Sequence, residues 1–168
     1  MPPFCERERR LAACSELARM RQNCHTLAIV DASRLMALPT YPLNLCDDTS
    51  DRLVVDMVAG LSETLACPST LNIDLTSFRE LMMHGGIAHL GIADASSAVR
   101  VEEATIGALR GPLLYDSIAQ SQGALVNVRG DPSLTIEETQ RAAELVAERV
   151  GWDMPVVVGA RADESWDD

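Results

Sequence analysis

The sequence predicts an α/β fold, an α+β two-layer sandwich of helices packed against a mixed sheet. Two observations carry that expectation. Strand-length apolar runs at 26–30, 87–93, 123–129 and 155–160 alternate with segments whose apolar residues recur at helical spacing, so the second half reads βαβαβ. Glycine and proline mark the boundaries: Gly85-Gly86, Gly111-Pro112 and Gly130-Asp131-Pro132.

The elements follow in order. Residues 6–23 form a charged helix with Leu11, Cys14, Leu17 and Ala18 along one stripe, and Pro3-Phe4 reads as the end of a strand before it. Residues 26–30 are a short, fully apolar strand of the kind buried in a parallel sheet. The Asp31-Ala32-Ser33 run offers caps for a short helix reaching Leu38, and Pro39 and Pro42 break the chain. A long helix is next, capped by Thr49, Ser50 or Asp51, with Val54, Met57, Val58, Leu61 and Leu65 at helical spacing. Pro68 ends it.

A loop, Leu71-Asn72-Ile73-Asp74, then leads to a short helix reaching Met83 and stopped by Gly85-Gly86. Ser77-Phe78-Arg79-Glu80 reads as the capping box of that helix. After the strand at 87–93, Ser96 or Ser97 caps a helix that runs to Arg110. A strand at 123–129 and a turn at Gly130-Asp131-Pro132 precede the capping box Thr135-Ile136-Glu137-Glu138. Its helix continues to Val150 with Ile136, Ala143, Leu145, Val146 and Val150 facing inward. The last strand is 155–160, followed by an acidic tail.

At 168 residues the chain holds one ordinary core, or a small domain plus a fragment of another. No apolar run approaches the roughly 18–20 residues that span a bilayer, and the N-terminus lacks a signal-peptide core. A cytoplasmic location with no direct membrane insertion is expected. Net charge is −11, and all 14 basic residues are arginine, which argues against a basic nucleic-acid-binding face. Five cysteines (Cys5, Cys14, Cys24, Cys46, Cys67) without a Cys-x-x-Cys pair read as free thiols, and His25, His84 and His89 lack ligand spacing, so no metal site is expected.

An amide and a carboxylate two residues apart at a helix exit, as at Asn72 and Asp74, must face water, a partner or a ligand. Together with Gly85-Gly86-Ile87-Ala88, Gly111-Pro112-Leu113-Leu114 and Gly123-Ala124-Leu125-Val126-Asn127-Val128, in that order and spacing, this loop resembles the FtsZ branch of the tubulin/FtsZ GTPases, closest to archaeal FtsZ. The family's phosphate loop, of the Gly-Gly-Gly-Thr-Gly type, does not occur in this sequence. The resemblance is therefore to the C-terminal portion: 1–45 as a remnant of the Rossmann-like nucleotide domain, 46–67 as the central connecting helix, and 68–168 as the C-terminal GTPase-activating domain without its last strand.

The resemblance implies GTP, with Mg2+ as its companion, shared at an interface between subunits of a filament. Its catalytic pattern, Gly-x-x-Asn-x-Asp-x-x-Asp, places Asn72 and Asp74 at the site. Ser69 stands where the glycine is expected and Ser77 where the second aspartate is expected. Ser77 serves either as a cap or as a weak substitute for that carboxylate, and Asp74 either as a catalytic group or as a helix-entry carboxylate. Asp51 corresponds to the nucleotide-binding aspartate that meets guanine. Asp47 replaces the stacking aromatic, so Asp47, Asp48 and Asp51 equally read as an acidic helix start.

The function implied is an FtsZ-like cell-division protein that contributes the loop activating GTP hydrolysis, with full-length FtsZ or other FtsZ-type subunits as partners. It is not expected to be a GTPase alone. The alternative is a non-catalytic α/β interaction module, or a truncated FtsZ fragment, that caps or regulates filaments.

A lysine-free, acidic surface also suits a salt-rich cytoplasm, where self-repulsion is screened; a GC-rich genome would favour arginine equally. Between about 0.1 and 3 M KCl the melting temperature is expected to rise, and indifference to salt would contradict the halophile reading.

Overall fold

The fold is a computed structural model, and it describes residues 3–30, 46–66, 70–111, 118 and 121–163. In chain order the elements are α1 (Pro3–Arg21), β1 (Thr26–Ala28), α2 (Cys46–Ala66), α3 (Leu75–Met83), β2 (Gly86–Ala88), α4 (Arg100–Leu109), β3 (Ala124–Gly130), α5 (Ile136–Val150) and β4 (Val156–Ala162). The α/β architecture expected from the sequence is present. Its strands form two parallel pairs, β1 with β2 and β3 with β4.

The β3–β4 pair runs in register from Ala124 opposite Val156 to Gly130 opposite Ala162. Alternation along a strand divides its residues between two faces. Val126, Val128 and Ala160 turn toward α4 and α5, where they meet Val101, Leu134 and Ala142 in the core. Ala142 is fully enclosed and Ala160 is 1% exposed. The opposite face, with Asn127, Arg129 and Arg161, meets α2. A Cβ on Gly60 of α2 would stand 2.9 Å from Asn127 Nδ2, so that glycine permits the close approach.

α5 forms as its capping box predicts. Thr135 Oγ1 accepts from Glu138 N at 3.2 Å, while a Glu138 carboxylate oxygen accepts from Thr135 N at 2.8 Å. Thr139, Ala142, Val146, Ala147 and Val150 are its buried residues. Ile136, expected inside, is 69% exposed because it sits in the first turn, beyond the sheet's cover. α4 lies beside α5, joined by Arg141 to Glu102 at 2.7 Å. Arg100 spans to the turn after β3, at 2.7 Å from Asp131 and 3.2 Å from Glu138.

β1 and β2 are short. Gly85 leaves α3 with φ +77°, and a Cβ there would lie 2.9 Å from the His25 carbonyl oxygen, so only glycine passes easily. Gly86 N then donates to that oxygen at 2.8 Å, and Thr26 Oγ1 donates to the Met82 carbonyl at 2.6 Å.

Several expected boundaries move. Pro3 and Phe4 lie in α1 rather than ending a strand, and α2 starts at Cys46, which puts Thr49, Ser50 and Asp51 inside it. The strand expected over 87–93 pairs only as far as Ala88. α4 starts at Arg100 rather than after Ser96 or Ser97; Ser97 Oγ accepts from Val99 N at 3.2 Å and organises the preceding turn instead. Leu11, Cys14 and Ala18 of the α1 stripe are solvent-exposed and Leu17 is half-buried, while Val54 and Val58 of α2 are exposed. The short helix to Leu38, Pro39, Pro42, Pro68, Ser69, Pro112-Leu113-Leu114 and the tail from Glu164 lie outside the described residues. Among the described residues no helix is long and apolar enough to cross a membrane.

Candidate active site

The Asn72–Asp74 loop is set by two anchors. Leu71 forms an antiparallel bridge with Ala160 of β4: Leu71 N donates to the Ala160 carbonyl at 3.0 Å and Ala160 N returns the bond at 2.9 Å. Ile73 is 5% exposed, and its burial turns its neighbours Asn72 and Asp74 outward. This apolar residue was not legible as functional, although an isolated isoleucine between an amide and a carboxylate is the available signal.

Asp74 is the N-cap of α3, with φ −67° and ψ 127°. Its Oδ2 accepts from Ser77 N at 3.0 Å and from Ser77 Oγ at 3.2 Å, and its carbonyl accepts from Phe78 N at 2.9 Å. The Ser77 backbone N–H, first, and then that of Thr76 hold the carboxyl below its ordinary value of 3.8. Asp74 is thus an exposed, ionised carboxylate at a positive helix end. The cap expected at Ser77 sits three residues earlier: Ser77 lies in the first turn and gives its hydroxyl to Asp74. No capping box starts at Ser77.

Asp51 is exposed on α2, fifteen positions before the helix ends at Ala66. At the α-helical rise that is about 22 Å of helix. The fold therefore brings Asn72 and Asp74 together and keeps Asp51 apart from them. Among the described residues no three of His, Cys, Asp and Glu converge as a metal site. Among the described residues, Asp51 on one side and Asn72 with Asp74 on the other form no closed cage for a nucleotide with Mg2+.

A family model described as the FtsZ family, C-terminal domain, matches residues 86–168. Cell division protein FtsZ 1 of Archaeoglobus fulgidus is 33% identical over 156 residues, covering 92% of this chain and 42% of that protein. Cell division protein FtsZ 2 of Methanocaldococcus jannaschii is 33% identical over 166 residues, 96% of this chain and 44% of that protein. Cell division protein FtsZ 2 of Halobacterium salinarum is 30% identical over 166 residues, 98% and 42% respectively. The solved structure of an empty FtsZ dimer from M. jannaschii superposes with a TM-score of 0.82 at 32% identity, over 88% of this chain and 43% of that one. The chain spans about two-fifths of the length of the curated relatives it matches.

The cap makes a prediction about acid stability. Because Asp74 titrates lower in the folded chain than in the unfolded one, its contribution is complete above the unfolded value of 3.8 and fades as pH falls through the folded value. Asp74→Ala should lower the melting temperature by about 3 °C at pH 7, while Asp74→Asn, also a capping residue, should lose far less. In thermal melts both variants should converge on the parent below that window, and a pH-independent gap would contradict the assignment.

Proposed function

The chain belongs to the FtsZ family, and on that premise we propose that it works as an FtsZ-type cell-division protein of the tubulin superfamily. In this reading it presents Asn72 and Asp74 to GTP held by a neighbouring FtsZ subunit. The observation that carries the proposal is the separation of its polar groups: Asp51 stands about 22 Å along α2 from the helix end that leads to the loop. A nucleotide touching both kinds of residue is completed only between two subunits.

In that arrangement the Asn72 amide and the ionised Asp74 carboxylate orient the water that attacks the terminal phosphate. As a carboxylate whose titration lies below the ordinary value of 3.8, Asp74 is an acceptor at neutral pH and stays one into acid. Ser77, whose hydroxyl already donates to Asp74, supports that carboxylate and does not replace a second one. Asp51 serves a guanine base at the other end of α2. We also read residues 1–45 as belonging with the nucleotide domain, 46–67 as the connecting helix and 68–168 as the activating domain, in a cytoplasmic protein.

A second reading rests on the same Oδ2. Its commitment to the α3 cap, together with Ser77 in place of a carboxylate, favours a non-catalytic module that caps or regulates filaments.

Adding the chain at equimolar ratio to polymerising full-length FtsZ tests both. Sedimented polymer should fall, and phosphate release per accessible partner subunit should rise. Asp74→Asn should still lower the polymer but cut that stimulation by roughly 100-fold. Unchanged polymer mass contradicts binding to the filament. Equal stimulation by the parent and Asp74→Asn leaves Asp74 as a helix cap only.

A further inference from the structure

We propose that Glu63 is a positioning residue for the Asn72–Asp74 loop, acting as a latch between α2 and the β3–β4 sheet; the functional consequence rests on the reading above, the structural one does not. Arg129 and Arg161 are register partners on adjacent parallel strands, so their backbones lie about 4.8 Å apart and their side chains share the face toward α2. Two guanidinium groups so placed repel. Glu63 resolves this: its Oε2 lies 3.1 Å from Arg129 Nη2 and 3.1 Å from Arg161 Nη1. Asp163 adds a longer contact to Arg129 at 3.8 Å.

This cluster differs from the other ion pairs in what it connects. Arg141 with Glu102 and Arg100 with Glu138 join α4 to α5, on the far face of the sheet. Glu63 ties α2 to both strands, one turn beyond the point where Gly60 brings that helix close to Asn127. The three side chains are 26–36% exposed, so screening by water is incomplete.

The loop begins eight residues after Glu63. Leu71 bridges Ala160, the residue next to Arg161 on β4. Consecutive residues of one strand therefore hold the end of α2 and the start of the loop. Removing the Glu63 charge releases the helix end and leaves two arginines facing each other. The resulting displacement is directed at Leu71 and passes to Asn72 and Asp74. α5, packed on the opposite face, has no such contact.

The test is amide hydrogen exchange on the full chain carrying Glu63→Gln, which keeps the side chain's size. The amides of Leu71, Ser77 and Phe78, each bonded in or beside the loop, should exchange about tenfold faster, with α5 amides unchanged. Arg161→Gln, which removes the repulsion and leaves Glu63 with Arg129, should accelerate them less, and the double variant, in which no two arginines are left facing each other, should exchange no faster than Glu63→Gln alone. In the FtsZ mixture, Glu63→Gln should lower stimulated phosphate release about tenfold while the polymer still falls as with the parent. Unchanged loop exchange, or equal acceleration in α5, overturns the latch whatever the turnover shows. If Asp74→Asn has no effect on turnover while the loop exchange responds to Glu63→Gln, the catalytic reading fails and the latch stands.

Discussion

A two-stranded parallel ladder such as β3–β4 has little stability of its own, and parallel strands persist where both faces are covered. That requirement organises the molecule. On one side, the small Ala142 and Ala160 let α5 settle against the ladder, with Val126, Val128, Val101 and Leu134 filling the space around them. On the other, α2 approaches at Gly60, where any side chain would press on Asn127. The second face is polar as well as close, and it needs Glu63 to reconcile Arg129 with Arg161. Cover on this side therefore includes charge beside the half-buried Leu125 and Val157, while cover on the far side comes through apolar packing.

The position of the Asn72–Asp74 loop is a consequence. α2 is a 21-residue rod, and the ladder fixes its C-terminal half. The chain leaving it is caught by the Leu71–Ala160 bridge, sinks Ile73 and turns into α3 at Asp74. The Asp74 carboxylate is the N-cap of α3, and in the function proposed above the same group is the acceptor beside the nucleotide. The Ser77 backbone N–H that this carboxylate caps also lowers its titration below the ordinary value. Ser77, in the first turn, completes the cap with its hydroxyl.

How much of this could be read from the sequence follows from how local each feature is. The Thr135 box, the Gly85 stop and the turn at Asp131 depend on neighbours within a few residues, and they form as expected. The cap of α3 was misplaced at Ser77 because Asp74-x-x-Ser77 and Ser77-x-x-Glu80 overlap, and only the backbone turn decides between them. Ile136 has helical spacing with the core positions but lies past the edge of the sheet, a fact set by the depth of packing. Glu63, Arg129 and Arg161 were invisible as a cluster, since their meeting depends on the β3–β4 register. Asn72, Asp74 and Asp51 were singled out from the sequence, whereas the separation of Asp51 from the loop follows from the length of α2.

Whether the Asn72–Asp74 loop meets a neighbour's nucleotide can be decided by site-directed photolabelling. Full-length FtsZ loaded with a GTP analogue bearing a photoreactive group on its γ-phosphate would be mixed with this chain, irradiated and digested. Label is expected on the peptide that contains Asn72 and Asp74. Label confined to α4 and α5, or none on this chain while it still lowers the polymer, would contradict it.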